Sequence, residues 1–297
     1  MGAAEVFEEL AVSGTAFAAP LHGPGIGLEA KRPMTPASVA KIQIALAVED
    51  AIARGAIDGR QQRVLPAQPR TAGPTGISLL RDEVRMSVRD LVPQMLSISD
   101  NVATDELIGL VGAERINQLT AALGMRDTRI VGDLRSLLDG MARESGFRDY
   151  PSMAAHEPAV LPPSLAQLRW SLHRSATLDP ASGWATTAAD TVTLLQAIWT
   201  DTGAAPVACA SVRQAMAQQL TRHRIAAGFG QDVTVAAKSG GLMGLVRNEA
   251  AVVTFPDRQQ YAVAVFTRST PDTTTDPACI DEGIGRVARI LLDELHS

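Results

Sequence analysis

Strand-forming residues in this 297-residue chain sit at its two ends, and that separation constrains the fold more than any other feature. Near the start, 15–21 and 26–30 read as two short strands joined through His22-Gly23-Pro24-Gly25. Near the end, 233–237, 248–255 and 261–267 are β-branched or apolar runs, the last two linked by a turn at Pro256-Asp257-Arg258. A final helix is expected over 280–295. Between the ends, 88–96, 102–111, 113–123 and 188–200 carry the apolar period of helices. The pattern predicts a discontinuous α/β lobe from 1–58 and 229–297, with 59–228 inserted as an all-helical lobe. Clefts form between such lobes. Within the insert, 135–183 holds Pro151, Pro158, Pro162, Pro163 and Pro180, and is expected to contain helical pieces within a loop-rich excursion.

Composition removes several function classes. Hydrophobic content of 46% with 20% charged residues describes a globular protein. A net charge of −5, with no basic run longer than the patch Thr221-Arg222-His223-Arg224, argues against a nucleic-acid or anionic-membrane surface. No apolar run is long enough to span a bilayer. The five histidines show no paired ligand spacing and Cys209 and Cys279 are isolated, so neither a metal nor another cofactor is expected. The acidic start, with Glu5, Glu8 and Glu9, lacks the form of a secretory signal; a cytoplasmic location is expected, or secretion if a leader is removed ahead of it.

Three clusters carry chemistry. Thr35-Pro36-Ala37-Ser38 leads into an apolar helix running to Arg54, with Lys41 three residues after Ser38. That spacing puts both side chains on one helix face. A serine hydroxyl keeps its proton at neutral pH, and an amine of lowered pKa could accept it. The chain has 3 lysines against 24 arginines, and arginine cannot act as a base, so a lysine here hints at a titratable amine. Ser99-Asp100-Asn101 stands at a helix start, where all three residue types are also ordinary caps. Lys238-Ser239-Gly240, followed by Gly241, ends a strand; it is either a glycine turn or a place where backbone N–H groups approach a substrate carbonyl.

Taken in order, Ser-x-x-Lys, Ser-Asp-Asn and Lys-Ser-Gly resemble the motif set of the serine β-lactamase and penicillin-binding protein (DD-peptidase) superfamily, class A β-lactamases in particular. Thr186-Thr187 with its helix, and Met125 to Arg129 before an omega-loop-like segment over 131–185, are similar too. The resemblance implies an α/β (α+β) fold in which an antiparallel sheet flanked by helices carries an inserted helical lobe. It implies Ser38 as nucleophile, Lys41 as its base, Ser99 as proton relay to the leaving group and Lys238 as a source of positive potential. Ser239, Gly240, Gly241 and Arg247 would bind substrate, Asn101 would bind it or orient Lys41, and the N–H groups of Ser38 and Gly241 would form an oxyanion hole. Asp100 is read as structural.

One departure bears on function. Class A β-lactamases need an omega-loop glutamate to activate water, and after Thr128-Arg129-Ile130 this chain runs Val131-Gly132-Asp133-Leu134. His156-Glu157-Pro158-Ala159-Val160-Leu161 is a faint echo of the family's Glu-Pro-x-Leu, in an enlarged segment. The expectation is therefore a serine hydrolase or acyltransferase that forms an acyl-enzyme from an amide or ester. The acyl group would pass to an amine or alcohol (transacylase, as in antibiotic biosynthesis) or slowly to water (esterase or amidase). A true β-lactamase and a catalytically idle binding domain are the alternatives. The partners implied are a small-molecule acyl donor and a nucleophilic acceptor, with no nucleic acid and no membrane.

Overall fold

The computed structural model describes residues 2–157, 163–243, 245–270 and 273–296. In chain order the elements are α1 (Ala3–Glu9), β1 (Val12–Pro20), β2 (Ile26–Leu28), a 3-10 turn (Ala37–Ala40), α2 (Lys41–Ala53), β3 (Gln62–Leu65), β4 (Val84–Ser87), α3 (Val88–Ser97), α4 (Asn101–Val111) and α5 (Ala113–Ala122). Then come α6 (Leu134–Glu144), α7 (Tyr150–Ala154), α8 (Leu165–His173), α9 (Ala188–Trp199), α10 (Pro206–Ala217), β5 (Thr234–Leu242), β6 (Val246–Thr254), β7 (Gln260–Ser269) and α11 (Pro277–His296).

The two ends of the chain do meet in one antiparallel sheet, ordered β2-β1-β7-β6-β5. β1 zips against β7 from Val12 opposite Ser269 to Pro20 opposite Tyr261. Strand alternation sends Val235, Ala237, Val253, Val263 and Val265 to one face, where α1 and α11 bury them. Ala236, Val252, Ala262, Ala264 and Phe266 go to the other, against the helical layer that contains α2 and α9. α2 is enclosed on nearly every side, as its almost uninterrupted apolar sequence requires. Gly55, at φ +70, releases the chain from its C-terminus.

The 135–183 stretch contains helical pieces, as its sequence suggests, with α6, α7 and α8 among them. It opens on α6, whose Leu134, Leu137, Leu138, Met141 and Ala142 form one apolar stripe and are buried. The prolines lie from Pro151 onward, after this helix has ended, so they do not bear on it. The Asp133 side chain caps α6 through Ser136 N at 2.7 Å, and Asp105 accepts from Leu134 N and Arg135 N at 2.7 and 3.0 Å. β3 and β4 form a separate two-stranded sheet not anticipated from sequence, because Gln62 and Arg63 break the apolar alternation.

β5 is an edge strand, and its free edge lies against the 3-10 turn that carries Ser38. A Cβ at Gly240 would stand 2.9 Å from Pro36 O and 3.2 Å from Ser38 N, so only glycine allows this approach. Asn248 on β6 pins the same turn from beneath: its Nδ2 donates to Thr35 O (2.9 Å) and Pro36 O (3.2 Å), and its Oδ1 accepts from Thr267 N (3.0 Å). All of this is sealed from water, Asn248 being fully buried.

Replacing Asn248 by Ala strands buried backbone groups on both sides, at about 1–3 kcal/mol for each group left unpaired. Denaturant unfolding of Asn248→Ala is expected to show a loss of about 2–4 kcal/mol; a loss below ~0.5 kcal/mol would mean that the turn is held by other contacts. Gly240→Ala is expected to fold but to push β5 off the turn, and to slow modification of Ser38 far more than it lowers the melting temperature.

Candidate active site

Between α6, the Ser38 turn and β5 lies a cavity of about 330 Å³. Ser38, Ser99, Asn101, Ser239, Gly240 and Gly241 line it, so six positions singled out in the sequence converge on one space. Lys41 and Lys238 stand just behind the lining, essentially without solvent exposure.

The local sequence explains each placement. Ser38 occupies the first turn of the 3-10 helix, where backbone N–H groups have no intrahelical acceptor. Ser99 is held at φ +63 and Ala37 at φ +48, left-handed conformations that cost about 1–3 kcal/mol each in residues other than glycine. The turn at Ser99 presents its carbonyl and its hydroxyl to the same amine. Asp100 is structural, as expected. One of its carboxylate oxygens accepts from Val102 N and Ala103 N at 2.8 and 3.0 Å, the other from Ile77 N at 2.5 Å. These bonds fix the start of α4 and with it Asn101.

Lys41 Nζ meets Ser99 O at 2.7 Å, Asn101 Oδ1 at 2.8 Å and Ser99 Oγ at 3.1 Å. Ser38 is not among these partners, although i and i+3 side chains share a face. Two of the three are pure acceptors, and the third is a hydroxyl. A neutral amine would therefore satisfy both its N–H groups and still offer its lone pair to Ser99. Burial pushes Lys41 well below the usual lysine range, and the neighbouring Lys238 pushes the same way, against weaker pulls from Asp100 and Asp105. Burial also brings Lys238 down to about 7, with Glu249 opposing and Arg224 adding to the fall. Lys238 Nζ donates to Ser239 O at 2.8 Å.

Because β5 is an edge strand, alternate residues point their N–H groups outward. The outward N–H of Ser239 is taken by Gln219 Oε1. The next outward N–H belongs to Gly241, on the cavity wall, beside the Ser38 turn. These two stretches carry the N–H groups of Ser38 and Gly241 that the sequence resemblance implied as a pair.

Arg247 departs from expectation. It does not line the cavity, and its Nε and Nη2 are both bound to Asp281. Burial would raise the Asp281 carboxyl, but Arg247 and Arg224 outweigh it and hold it below the usual range. Arg224 reaches the wall instead, donating to Gly240 O (2.7 Å), Asn248 O (2.6 Å) and Asp281 Oδ1 (2.7 Å). In sequence it was visible only as part of a short basic patch.

The opposite wall is apolar: Leu134, Leu137 and Leu138 from α6, with Trp184, Ile98 and Tyr150. Tyr150 Oη lies 3.6 Å from Met243 Sδ, which joins this wall to the end of β5. Among the described residues, no Asp or Glu lines the cavity. Glu157 is exposed and is not part of it, and 158–161 lie outside the described residues. The leucine stripe was present in the sequence as an i, i+3, i+4 pattern; the contribution of Tyr150, Met243 and Trp184 left no such signal.

Comparison with known proteins places the chain in a family. A model of the beta-lactamase enzyme family matches residues 11–295. A Streptomyces cacaoi protein named beta-lactamase regulatory protein BlaB is 33% identical over 287 residues, covering 92% of this chain and 89% of that protein. Among solved structures, a beta-lactamase from Sphaerobacter thermophilus superposes with a TM-score of 0.75 at 24% identity, over 98% of this chain and 95% of its own. A point mutant of PBP-A, solved as an acyl-enzyme complex with penicillin G, gives 0.73 at 18% identity, over 99% and 96%. With a class A β-lactamase-like fold and these matches along nearly its whole length, the chain belongs to the beta-lactamase enzyme family.

Proposed function

We propose that this protein takes an acyl group from an amide or ester onto Ser38, and that the acyl-enzyme persists until an amine, an alcohol or, slowly, water removes it. The observation that carries the reading is the contrast between the two sides of one cavity. Behind Ser38 stands a buried, readily neutralised amine tied to Ser99 and Asn101, while the facing wall is made of leucines and, among the described residues, contains no carboxylate.

In the first step Ser38 Oγ bonds to the substrate carbonyl carbon and its proton passes to Lys41. Negative charge collects on the carbonyl oxygen, between the N–H groups of Ser38 and Gly241; such donors contribute about 3 kcal/mol each to barrier lowering. Collapse breaks the bond to the leaving nitrogen or oxygen, which takes a proton from Ser99, replenished from Lys41 along the 3.1 Å contact. Lys238 and Arg224 keep the potential positive near Ser239, suiting a donor with an anionic group. The leucine wall suits an apolar acyl side chain.

Release needs a base to activate the incoming nucleophile, and general-base help is commonly worth ~100- to 10,000-fold. Water finds no carboxylate on the described cavity wall to supply it. An amine or alcohol that docks in place of the leaving group can return its proton through Ser99 to Lys41, reversing the first step.

A second reading has one specific support, the regulatory name carried by the Streptomyces cacaoi relative. Here the long-lived acyl-enzyme would itself be the signal, with no acceptor required. Both readings share the first step and differ in the fate of the adduct.

Intact-protein mass spectrometry after mixing with penicillin G, or with a simple activated ester, is expected to show a persistent adduct on wild type and none on Ser38→Ala. Rapid consumption of penicillin without an adduct would instead establish a β-lactamase. Adding amines is expected to discharge the adduct faster than water does; discharge at one rate with or without them would favour the regulatory reading. Placing a carboxylate on the leucine wall, as Leu134→Glu, is expected to shorten the adduct lifetime by at least ~10-fold. An unchanged lifetime would show that the absent base does not limit release.

A further inference from the structure

Glu249 on β6 stands directly across from Ser239 and is fully buried. It lies outside the cavity lining, and nothing in the acyl-transfer steps above uses it. A carboxylate sealed in a sheet is costly unless both oxygens are satisfied. One oxygen of Glu249 accepts from Ile225 N at 2.6 Å, the other from Gln219 Nε2 at 3.0 Å. Both partners are donors only, so an acceptor is required at each oxygen, which a carboxylate supplies and a carboxamide does not. Gln219 turns its own carbonyl to Ser239 N and shares its amide with Thr221 O at 3.0 Å. A continuous chain thus runs from Glu249 through Gln219 to the outer edge of β5, at the residue whose carbonyl holds Lys238.

We propose that Glu249 is a positioning residue for this site, its carboxylate fastening Gln219 against Ser239 and supplying the counter-charge for Lys238 and Arg224. By occupying the outward N–H of Ser239, Gln219 leaves that of Gly241 as the next free donor on the edge. The charge balance points the same way. Lys238 faces the like charges of Lys41 on α2 and of Arg224 on the segment before Ile225, and among the described residues Glu249 is the acidic group that opposes its loss of charge. Asp281 is already committed to Arg224, Arg247 and His223. Burial raises the Glu249 carboxyl, against the pull of Ile225 N, Arg224, Gln219 and Lys238. The catalytic consequence, that Lys238 stays a cation while acylation proceeds, rests on the acyl-enzyme reading above; the charge coupling itself does not.

The chain's three lysines make a direct test practical. Lysine labelled with ¹³C and ¹⁵N is followed by NMR through a pH titration in wild type, Glu249→Gln and Glu249→Asp. Lys31→Arg and Lys238→Arg assign the signals, and exposed Lys31 serves as internal reference. In Glu249→Gln the Lys238 midpoint is expected to fall by about one pH unit, the scale of losing one nearby opposite charge. In Glu249→Asp, which keeps the charge one methylene further back, it should fall by less. Should the glutamine variant not fold, the aspartate variant carries the test. A midpoint unmoved in the folded variants would overturn the proposal, whatever the protein does with acyl donors. The rate of adduct formation on Ser38 with penicillin G, measured across pH, adds the catalytic readout. Its decline on the alkaline side should move to lower pH with the Lys238 midpoint, giving about a tenfold loss one unit above neutrality in Glu249→Gln. A uniform loss with that decline in its original place would mean that Glu249 only packs, and would also overturn the proposal. A moved midpoint in a protein whose wild type takes no acyl group at any pH would uphold the coupling and defeat the acyl-enzyme reading instead.

Discussion

Everything about this site follows from two lysines removed from water side by side. An ammonium in a protein interior is stable only if acceptors replace its hydration, and each lysine has been given backbone or amide oxygens: Ser99 O and Asn101 Oδ1 for Lys41, Ser239 O for Lys238. Among the described residues, no carboxylate is in hydrogen-bond contact with either. Burial and mutual repulsion therefore make it easy for one of them to lose its proton, which is what a base beside a serine must do. Arginine would be useless here, since it does not give up its charge. A chain that otherwise favours arginine heavily puts two of its three lysines in this one place.

The acidic residues near the site work from behind its walls. Asp100 fixes α4 and the turn at Ile77; Asp105 accepts from Thr71 Oγ1 at 2.6 Å and from the first N–H groups of α6. Asp281 gathers two arginines, and Glu249 steadies the edge of β5. Each holds a piece of the cavity in position without placing its own negative charge on the lining. The surface that faces Ser38 is then free to be apolar, and α6 makes it so. In the proposed reaction, acylation would draw on the groups around Ser38, whereas hydrolysis would have to proceed without a carboxylate on the described wall.

Motif residues were readable from the chain because their chemistry is local. Ser38 and Lys41 are three residues apart, Ser99 to Asn101 form one helix start, and Lys238 to Gly241 lie along one strand, so each group's internal geometry is dictated by its own stretch of backbone. The strands and the larger helices were readable for the same reason, from period alone. The supporting residues were not. Asn248 holds a turn more than 200 positions away, Gln219 reaches β5 from the end of α10, and Arg224 in place of Arg247 on the wall depends on which guanidinium Asp281 leaves turned inward. Helical pieces were legible in the segment that holds α6, but its prolines obscured where each begins and ends, and nothing local showed that the leucine stripe of α6 faces Ser38.

The order of residues was enough to require that strands at both ends close around a helical middle, and to reveal a serine, two lysines, an asparagine and a glycine pair of one chemical family. Tertiary structure alone decided that the serine, the asparagine and the glycines share a cavity of about 330 Å³ with the lysines just behind it, that its far wall carries leucines, and that the charges balancing it sit out of reach of substrate. The division has a physical cause. Backbone propensity and side-chain period act over a few residues, and one sequence suffices to read them. Burial, which sets the protonation of Lys41 and Lys238, is a property of what the rest of the fold lays over them.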